Sequence, residues 1–258
     1  MDETEIAVRD LAIGYGGLAL LKNINFTVGR SEIFIIMGES GSGKSTLLKA
    51  MIGLKKPAGG RILYGTMDLW GAGPDERERL MRRFGVLYQN GALWTSMTLA
   101  ENVSLPLEQH TDLTRGEIRD TVALKLALVG LAGFENFYPA ELSGGMARRA
   151  GLARAMALDP DILFFDEPSA GLDPVNARML DNLILRIRDS IGSTFVVVTH
   201  ELASIFSIGD NSVYLDADSG TITAAGHPKV LLAQSEDRKV RNFLTRGNEK
   251  SYAADRGN

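Results

Sequence analysis

The sequence predicts an α/β fold, a mixed sheet carrying helices, with a compact block of helices inserted between its strands. Three observations point there. The apolar run "EIFIIMG" leads through a glycine loop into a helical pattern that begins at Lys44. Strand patterns then vanish from Thr98 to Leu158. They return as "ILFF", "TFVVVTH" and "NSVYLD", separated by the helical "VNARMLDNLILRIRDS", the alternation of an α/β layer with a buried parallel sheet.

Taken in order, "EIAVRDLAIGYGG" alternates apolar and polar residues and ends in glycines, and "INFTV" and "GRSEIFIIMG" continue as short strands joined by turns. Leu47, Leu48, Met51 and Ile52 keep helical spacing until Gly53, with Pro57 shortly beyond. "GRILYG" and "FGVLY" read as strands flanking a helical "DERERLMRR". In the insert, Leu99, Val103, Leu105 and Leu107, then Ile118, Val122, Leu126 and Val129, then "LSGGMARRAGLARAMA" give three or four helices. After a last weak strand, "TITAAG", the segments "VLLAQ" and "RKVRNFL" read as short amphipathic helices, and residues 246–258 as a flexible tail. Val240, Phe243 and Leu244 form an i, i+3, i+4 stripe open to packing on this chain or a neighbour, and Arg238, Lys239, Arg241 and Arg246 read as a solvated face.

Composition narrows the class. A chain of 258 residues with 45% hydrophobic and 23% charged residues is long enough for a full core in one or two domains. There is no cysteine, which excludes disulfides and thiolate metal sites. "MDETEIAVRD" lacks the apolar core of a secretory signal, and no run approaches eighteen apolar residues. A net charge of -4 argues against nucleic acid as a partner.

Two motifs carry chemistry. "GESGSGKST" fits G-x-x-x-x-G-K-[ST] between a strand and a helix, the context of a Walker A phosphate loop rather than a plain glycine turn. Gly38, Gly41 and Gly43 let the backbone wrap so that N–H groups face phosphates. Lys44 reaches the β and γ phosphates, Ser45 supplies an oxygen to Mg²⁺, and Glu39, Ser40, Ser42 and Thr46 complete the ATP-binding loop. "ILFFDE" then sets Asp166 and Glu167 at the carboxyl end of a strand, where ligands gather in open α/β sheets. Either they form a solvated strand end, or Asp166 holds Mg²⁺ and Glu167 polarises the attacking water.

A third stretch is less decided. Ser143 is a favoured N-cap, and Gly144 and Gly145 leave the first turn of a helix over residues 143–157 without side-chain cover. The start is either an ordinary capped helix or an anion site.

Walker A, "LSGGM", "ILFFDEPSAGLDP" and "VVVTH" together resemble the ATP-binding-cassette ATPases over nearly the whole chain. The resemblance implies a P-loop core with a mixed sheet, an antiparallel β subdomain and a helical subdomain at about 98–158, all within a nucleotide-binding domain of residues 1–245. It implies MgATP hydrolysis and a head-to-tail dimer in which Ser143, Gly144 and Gly145 meet the γ-phosphate held by a second copy. Tyr15 matches the aromatic that stacks on adenine, Gln89 the glutamine near Mg²⁺ and water, Asp173 the D-loop residue facing the second copy, and His200 the switch histidine on the γ-phosphate. Lys44, Gln89, Glu167 and His200 are thus the catalytic candidates and Ser45, Gln89 and Asp166 the Mg²⁺ ligands. His110 and His227 receive no role.

Met146 stands where most cassettes have Gln, and "LSGGMARRAGLARA" is similar to the ATPases of MCE-type lipid transporters, the group containing the bacterial Mla phospholipid system. "YQNGALWTSMTLAENVSLPLEQHT" and "DRKVRNFL" resemble the same group. What this implies is an ATPase on the cytoplasmic side of the inner membrane, bound peripherally to an integral permease, with an MCE-domain periplasmic lipid-binding subunit and a small STAS-type cytosolic subunit. Leu93, Trp94, Met97 and Leu99 read as an apolar cluster that either meets the permease or fills the insert's own core. The ATPase of a small-solute importer is the alternative transport reading, and a cassette acting on DNA or the ribosome, or a P-loop kinase, explains fewer of the motifs.

Overall fold

The computed structural model describes residues 4–16, 18–89 and 91–247. The chain divides into two compact units, Met1–Gly71 with Val198–Asn258, and Ala72–Val197.

In the first unit β1 (Thr4–Tyr15) and β2 (Leu18–Gly29) form a long antiparallel hairpin, and β4 (Gly59–Tyr64) and β5 (Met67–Asp68) extend it in the order β2-β1-β4-β5. β2 begins well before "INFTV" because pairing with β1 reaches Tyr15 and Leu18, although "LALLKN" lacks strict alternation. β3 (Ile33–Met37) is buried at all five positions and runs parallel to β9 (Asn211–Asp216), on which β10 (Thr221–Gly226) lies antiparallel. An unbroken "IFIIM" is what a strand covered on both faces requires. α1 (Lys44–Met51) follows β3 through the phosphate loop.

The second unit opens with α2 (Pro74–Met81), followed by β6 (Phe84–Leu87), which runs parallel to β7 (Ile162–Asp166). Between these strands lie α3 (Leu99–His110), α4 (Arg115–Leu128), a 3₁₀ turn at Pro139–Glu141 and α5 (Gly144–Ala155). α3 and α4 each start with a capping box, Thr98 with Glu101 and Thr114 with Glu117, so local sequence fixes where the helices begin. α6 (Pro174–Ile191), opened by Pro174 and closed by a left-handed Gly192, leads to β8 (Thr194–Val198).

The chain then returns to the first unit with α7 (Leu202–Ile208), α8 (Pro228–Gln234) and α9 (Arg238–Thr245). His227 caps α8, its Nδ1 accepting from Lys229 N at 3.1 Å. The apolar stripe of α9 packs on its own chain: Val240 and Leu244 are buried, and the Phe243 ring meets Tyr214 edge-on at 5.3 Å. The basic residues beside that stripe form the expected solvated face: Arg238, Lys239, Arg241 and Arg246 are all exposed, and on that face Lys239 Nζ lies 2.6 Å from both Asp216 Oδ1 and Asp218 Oδ2 and Arg246 pairs with Glu201. Of the tail, residues 248–258 lie outside the described residues.

The hydrogen bond from Lys239 holds the Asp216 carboxyl down at about 2, and the hydrogen bond to Asp216 holds the ammonium above its usual range. A carboxyl depressed in the folded state stabilises fully above its unfolded value near 4, and that stabilisation is lost as pH falls through 2. Lys239→Met is expected to lower Tm by a few degrees at pH 7, with the difference from the parent shrinking below pH 4; thermal scans across that range measure it.

Candidate functional site

The phosphate loop sits in the first unit, between β3 and α1. Gly38 has φ 153°, and a Cβ there would stand 2.5 Å from Leu215 O and 2.8 Å from Ser42 Oγ, so glycine is required by space as well as by conformation. Gly43, left-handed at φ 95°, is the N-cap of α1 and supplies no side-chain cap. The first-turn amides of α1 therefore face outward at the positive end of the helix. Lys44 is 6% exposed, and its Nζ donates to Gly38 O at 2.9 Å and Glu39 O at 2.8 Å. Ser42 N closes the loop on Glu39 O at 3.2 Å, while Ser42 Oγ is buried without a hydrogen-bond partner among the described residues. Glu39, Ser40 and Gly41 are exposed, and Ser45 and Thr46 are half-buried in the first turn of α1. An ammonium held by carbonyls, a run of unshielded amides, an unsatisfied hydroxyl and open space at Gly41 together suit a polyphosphate with its metal.

His200 follows β8 in the same unit. Thr199 N donates to Ile36 O at 3.2 Å, which fixes the residue before His200 beside the strand that feeds the loop. The imidazole is exposed, with Nε2 3.7 Å from Glu201 Oε1. Tyr15 is at the tip of the β1–β2 hairpin, paired with Leu18, and nothing further is described of its side chain.

The second unit holds the carboxylates. Asp166 ends β7, half-buried, one position past the Leu87–Phe165 register pair. Burial and the Asp166 charge push the Tyr88 hydroxyl up, which places that carboxylate in the field of the residue preceding the exposed Gln89. Glu167 has φ 50°, a sparsely populated conformation for a residue with a side chain. It opens a tight passage in which Ala170 N bonds Glu167 O at 3.2 Å and Leu172 N bonds Ser169 O at 3.1 Å. Asp173 ends that passage as the N-cap of α6, with Oδ1 accepting from Val175 N and Asn176 N and Oδ2 from Asn176 Nδ2 at 2.5 Å. The Asn176 amide, first among these donors, holds its carboxyl below the usual range.

Ser143 caps α5, its Oγ accepting from Met146 N at 3.3 Å, and Ser143 and Gly144 are exposed. Gly145 is buried, and a Cβ there would run into the Asn176 amide. The opening of α5 is thus bare on one side and packed on the other.

Within the first unit the loop and His200 share the end of β3. Within the second, Ser143–Gly145 and Asp173 are joined through Asn176. Of the Mg²⁺ candidates, Ser45 belongs to the first unit and Gln89 and Asp166 to the second.

The apolar cluster divides. Trp94 is 55% exposed and Leu93 and Met97 are half-buried, but Leu99 is fully buried in the first turn of α3 and belongs to the insert's core. The strand of loop before α3 is held by Asn102, itself buried, which accepts from Trp94 N and donates to the carbonyls of Trp94, Met97 and Thr98. Asn102, Arg148 and Asn176 carry no motif of their own; Asn176 alone has a sequence signal, its place three residues after an N-cap Asp.

Comparison with known proteins adds to this geometry. Residues 21–170 match the family model described as ABC transporter. The chain is 41% identical over 244 residues to the intermembrane phospholipid transport system ATP-binding protein MlaF of Haemophilus influenzae, covering 95% of this chain and 91% of that protein. It is 40% identical over 239 residues to the probable ribonucleotide transport ATP-binding protein mkl of Mycobacterium tuberculosis, covering 93% of this chain and 66% of that protein. Among solved structures it resembles the dimeric ATP-binding cassette MJ0796 in a post-hydrolysis state bound to ADP and Pi, with TM-score 0.77 and 30% identity, covering 85% of this chain and 97% of that one. A phosphate loop, a carboxylate pair at a strand end and this breadth of identity lead to one conclusion: the chain belongs to the ABC transporter family and is an ATPase of that family.

Proposed function

We infer that the chain is the ATP-hydrolysing subunit that energises an Mla-like phospholipid transporter. The observation that carries the lipid half is the 41% identity over 95% of the chain to a protein named for intermembrane phospholipid transport. The site residues are assigned as follows. Lys44 and the amides of Gly38–Thr46 hold the β and γ phosphates, and Tyr15 stacks on adenine. Ser45, Asp166 and Gln89 hold Mg²⁺, which when bound neutralises charge on the phosphate oxygens. Glu167 orients a water and accepts its proton, and His200 contacts the γ-phosphate. Ser143, Gly144, Gly145 and Asp173 face the nucleotide of a second copy.

No helix among the described residues is long and apolar enough to cross a membrane. We assign the membrane-spanning part to an integral permease at the inner membrane, met on its cytoplasmic side through the surface around Trp94, with an MCE-domain lipid-binding subunit and a STAS-type subunit in the same assembly. A second reading, the ATPase of a small-solute importer, has the name of the mycobacterial relative in its favour.

Gentle purification of the tagged chain from native membranes, followed by mass spectrometry of proteins and lipids, separates the two. The expected result is a multispanning permease, an MCE-domain protein and bound phospholipid; a permease accompanied by a solute-binding protein would replace the lipid reading with the second one.

A further inference from the structure

α5 and the loop behind Glu167 are fastened to each other by a side chain to which no role has yet been given. Arg148 lies one turn into α5 and is 9% exposed, its burial pulling the guanidinium below its ordinary range. Nη2 donates to Ala170 O at 3.1 Å, and Nη1 is buried without a partner among the described residues. Ala170 is the middle of the passage that starts at the strained Glu167 and ends at Asp173, and Gly171 beyond it is left-handed at φ 76°. A guanidinium buried to reach one carbonyl is expensive unless that carbonyl must stay where it is.

A second tie runs alongside, through Asn176. Gly145 packs against the Asn176 amide so closely that no Cβ fits, and that amide in turn donates to Asp173. The start of α5 and the Glu167–Asp173 passage are therefore joined by two routes, both inside the second unit: directly by Arg148 on Ala170, and through Asn176, which meets Gly145 on one side and Asp173 on the other.

We propose that Arg148 is a positioning residue for hydrolysis: by fixing Ala170 O to α5, it makes the orientation of Glu167 depend on the seating of the Ser143–Gly145 turn. This rests on the reading that Ser143–Gly145 meets a second copy's nucleotide and that Glu167 orients the water. A phosphate arriving at the turn then reports to the carboxylate of the same chain, and the two sites of a dimer fire in register. One residue suffices for this, since a displacement of about 1 Å at a reacting centre can cost about 100-fold in rate.

Arg149 supplies the control. It too is pulled down by burial and donates to backbone carbonyls, Val129 O at 2.8 Å and Gly130 O at 3.2 Å, but these lie past the end of α4 and away from the passage. Arg148→Met is expected to lower kcat about tenfold or more while the Kd for ATP of the isolated chain stays within about twofold, and Arg148→Lys, still a donor to Ala170 O, to recover part of it. Arg149→Met is expected to lose a comparable amount of thermal stability with kcat nearly unchanged. Equal kcat losses in Arg148→Met and Arg149→Met, or a rise in Kd that accounts for the loss, overturn the proposal. Both are compared in the Glu167→Gln background by light scattering with MgATP. If Glu167→Gln alone forms no ATP-dependent dimer, the shared-site reading fails; if it does, and Arg148→Met leaves kcat intact, only the role of Arg148 fails.

Discussion

Glu167→Gln is expected to reduce ATP turnover about 10²–10⁴-fold while leaving nucleotide binding intact, so that an ATP-loaded dimer accumulates. The substitution is nearly isosteric, and glutamine meets the φ of 50° no worse than glutamate does, so the backbone of the passage should hold. What changes is the capacity to take a proton from water. We assign binding to other groups: Lys44 in the carbonyl cradle of Gly38 and Glu39, and the uncapped start of α1. The loss should therefore fall on kcat. Phosphate release measures the turnover, and light scattering with MgATP measures the dimer. Brisk hydrolysis by the variant removes Glu167 as the proton acceptor, whatever becomes of the dimer.

Much of this site is legible in the sequence because its parts are local. A phosphate loop needs its glycines, its lysine and a strand and helix on either side, and all lie within one short window from Ile33 to Met51. The buried "IFIIM" and "ILFFD" announce strands covered on both faces, and the Thr98 and Thr114 boxes announce helix starts. What escapes is whatever depends on a partner far along the chain. Arg148 is one arginine among several in an alanine-rich helix until Ala170, 22 residues later, is found beneath it. Gly145 reads as bare for the sake of an anion, yet the structure gives it another reason to be glycine in the amide of Asn176. The sequence leaves Leu99 open between a docking cluster and the insert's own core, and α3 decides for the core, because a small helical block fills its interior from the first turns of its helices. Lys239 is solvated, as a run of basic residues suggests, but its two partners, Asp216 at the end of β9 and Asp218 in the turn after it, are more than 20 residues away and no local pattern announces them.

Ser143→Glu should spare ATP binding by the single chain and abolish dimer closure. The helix itself tolerates the change. It loses the 3.3 Å bond from Met146 N, a cap worth about 1 kcal/mol, but a carboxylate at a helix start is favoured by the dipole, and α5 stays anchored through its buried residues. The exposed lip at Ser143 and Gly144 is what suffers. On the shared-site reading a carboxylate there faces the incoming γ-phosphate of the second copy, and two unit charges about 4 Å apart at an effective dielectric near 20 repel by about 4 kcal/mol, roughly a thousandfold in affinity. That outweighs anything the helix dipole returns. Within its own chain the substitution leaves the groups assigned to ATP binding unchanged, Lys44 in its carbonyl cradle and the loop amides, so titration with a fluorescent ATP analogue should give an unchanged Kd. In the Glu167→Gln background, the ATP-dependent dimer should disappear. If Ser143→Glu with Glu167→Gln dimerises as readily as Glu167→Gln alone, then the start of α5 is an ordinary capped helix, and the γ-phosphate of the second copy is met by something else.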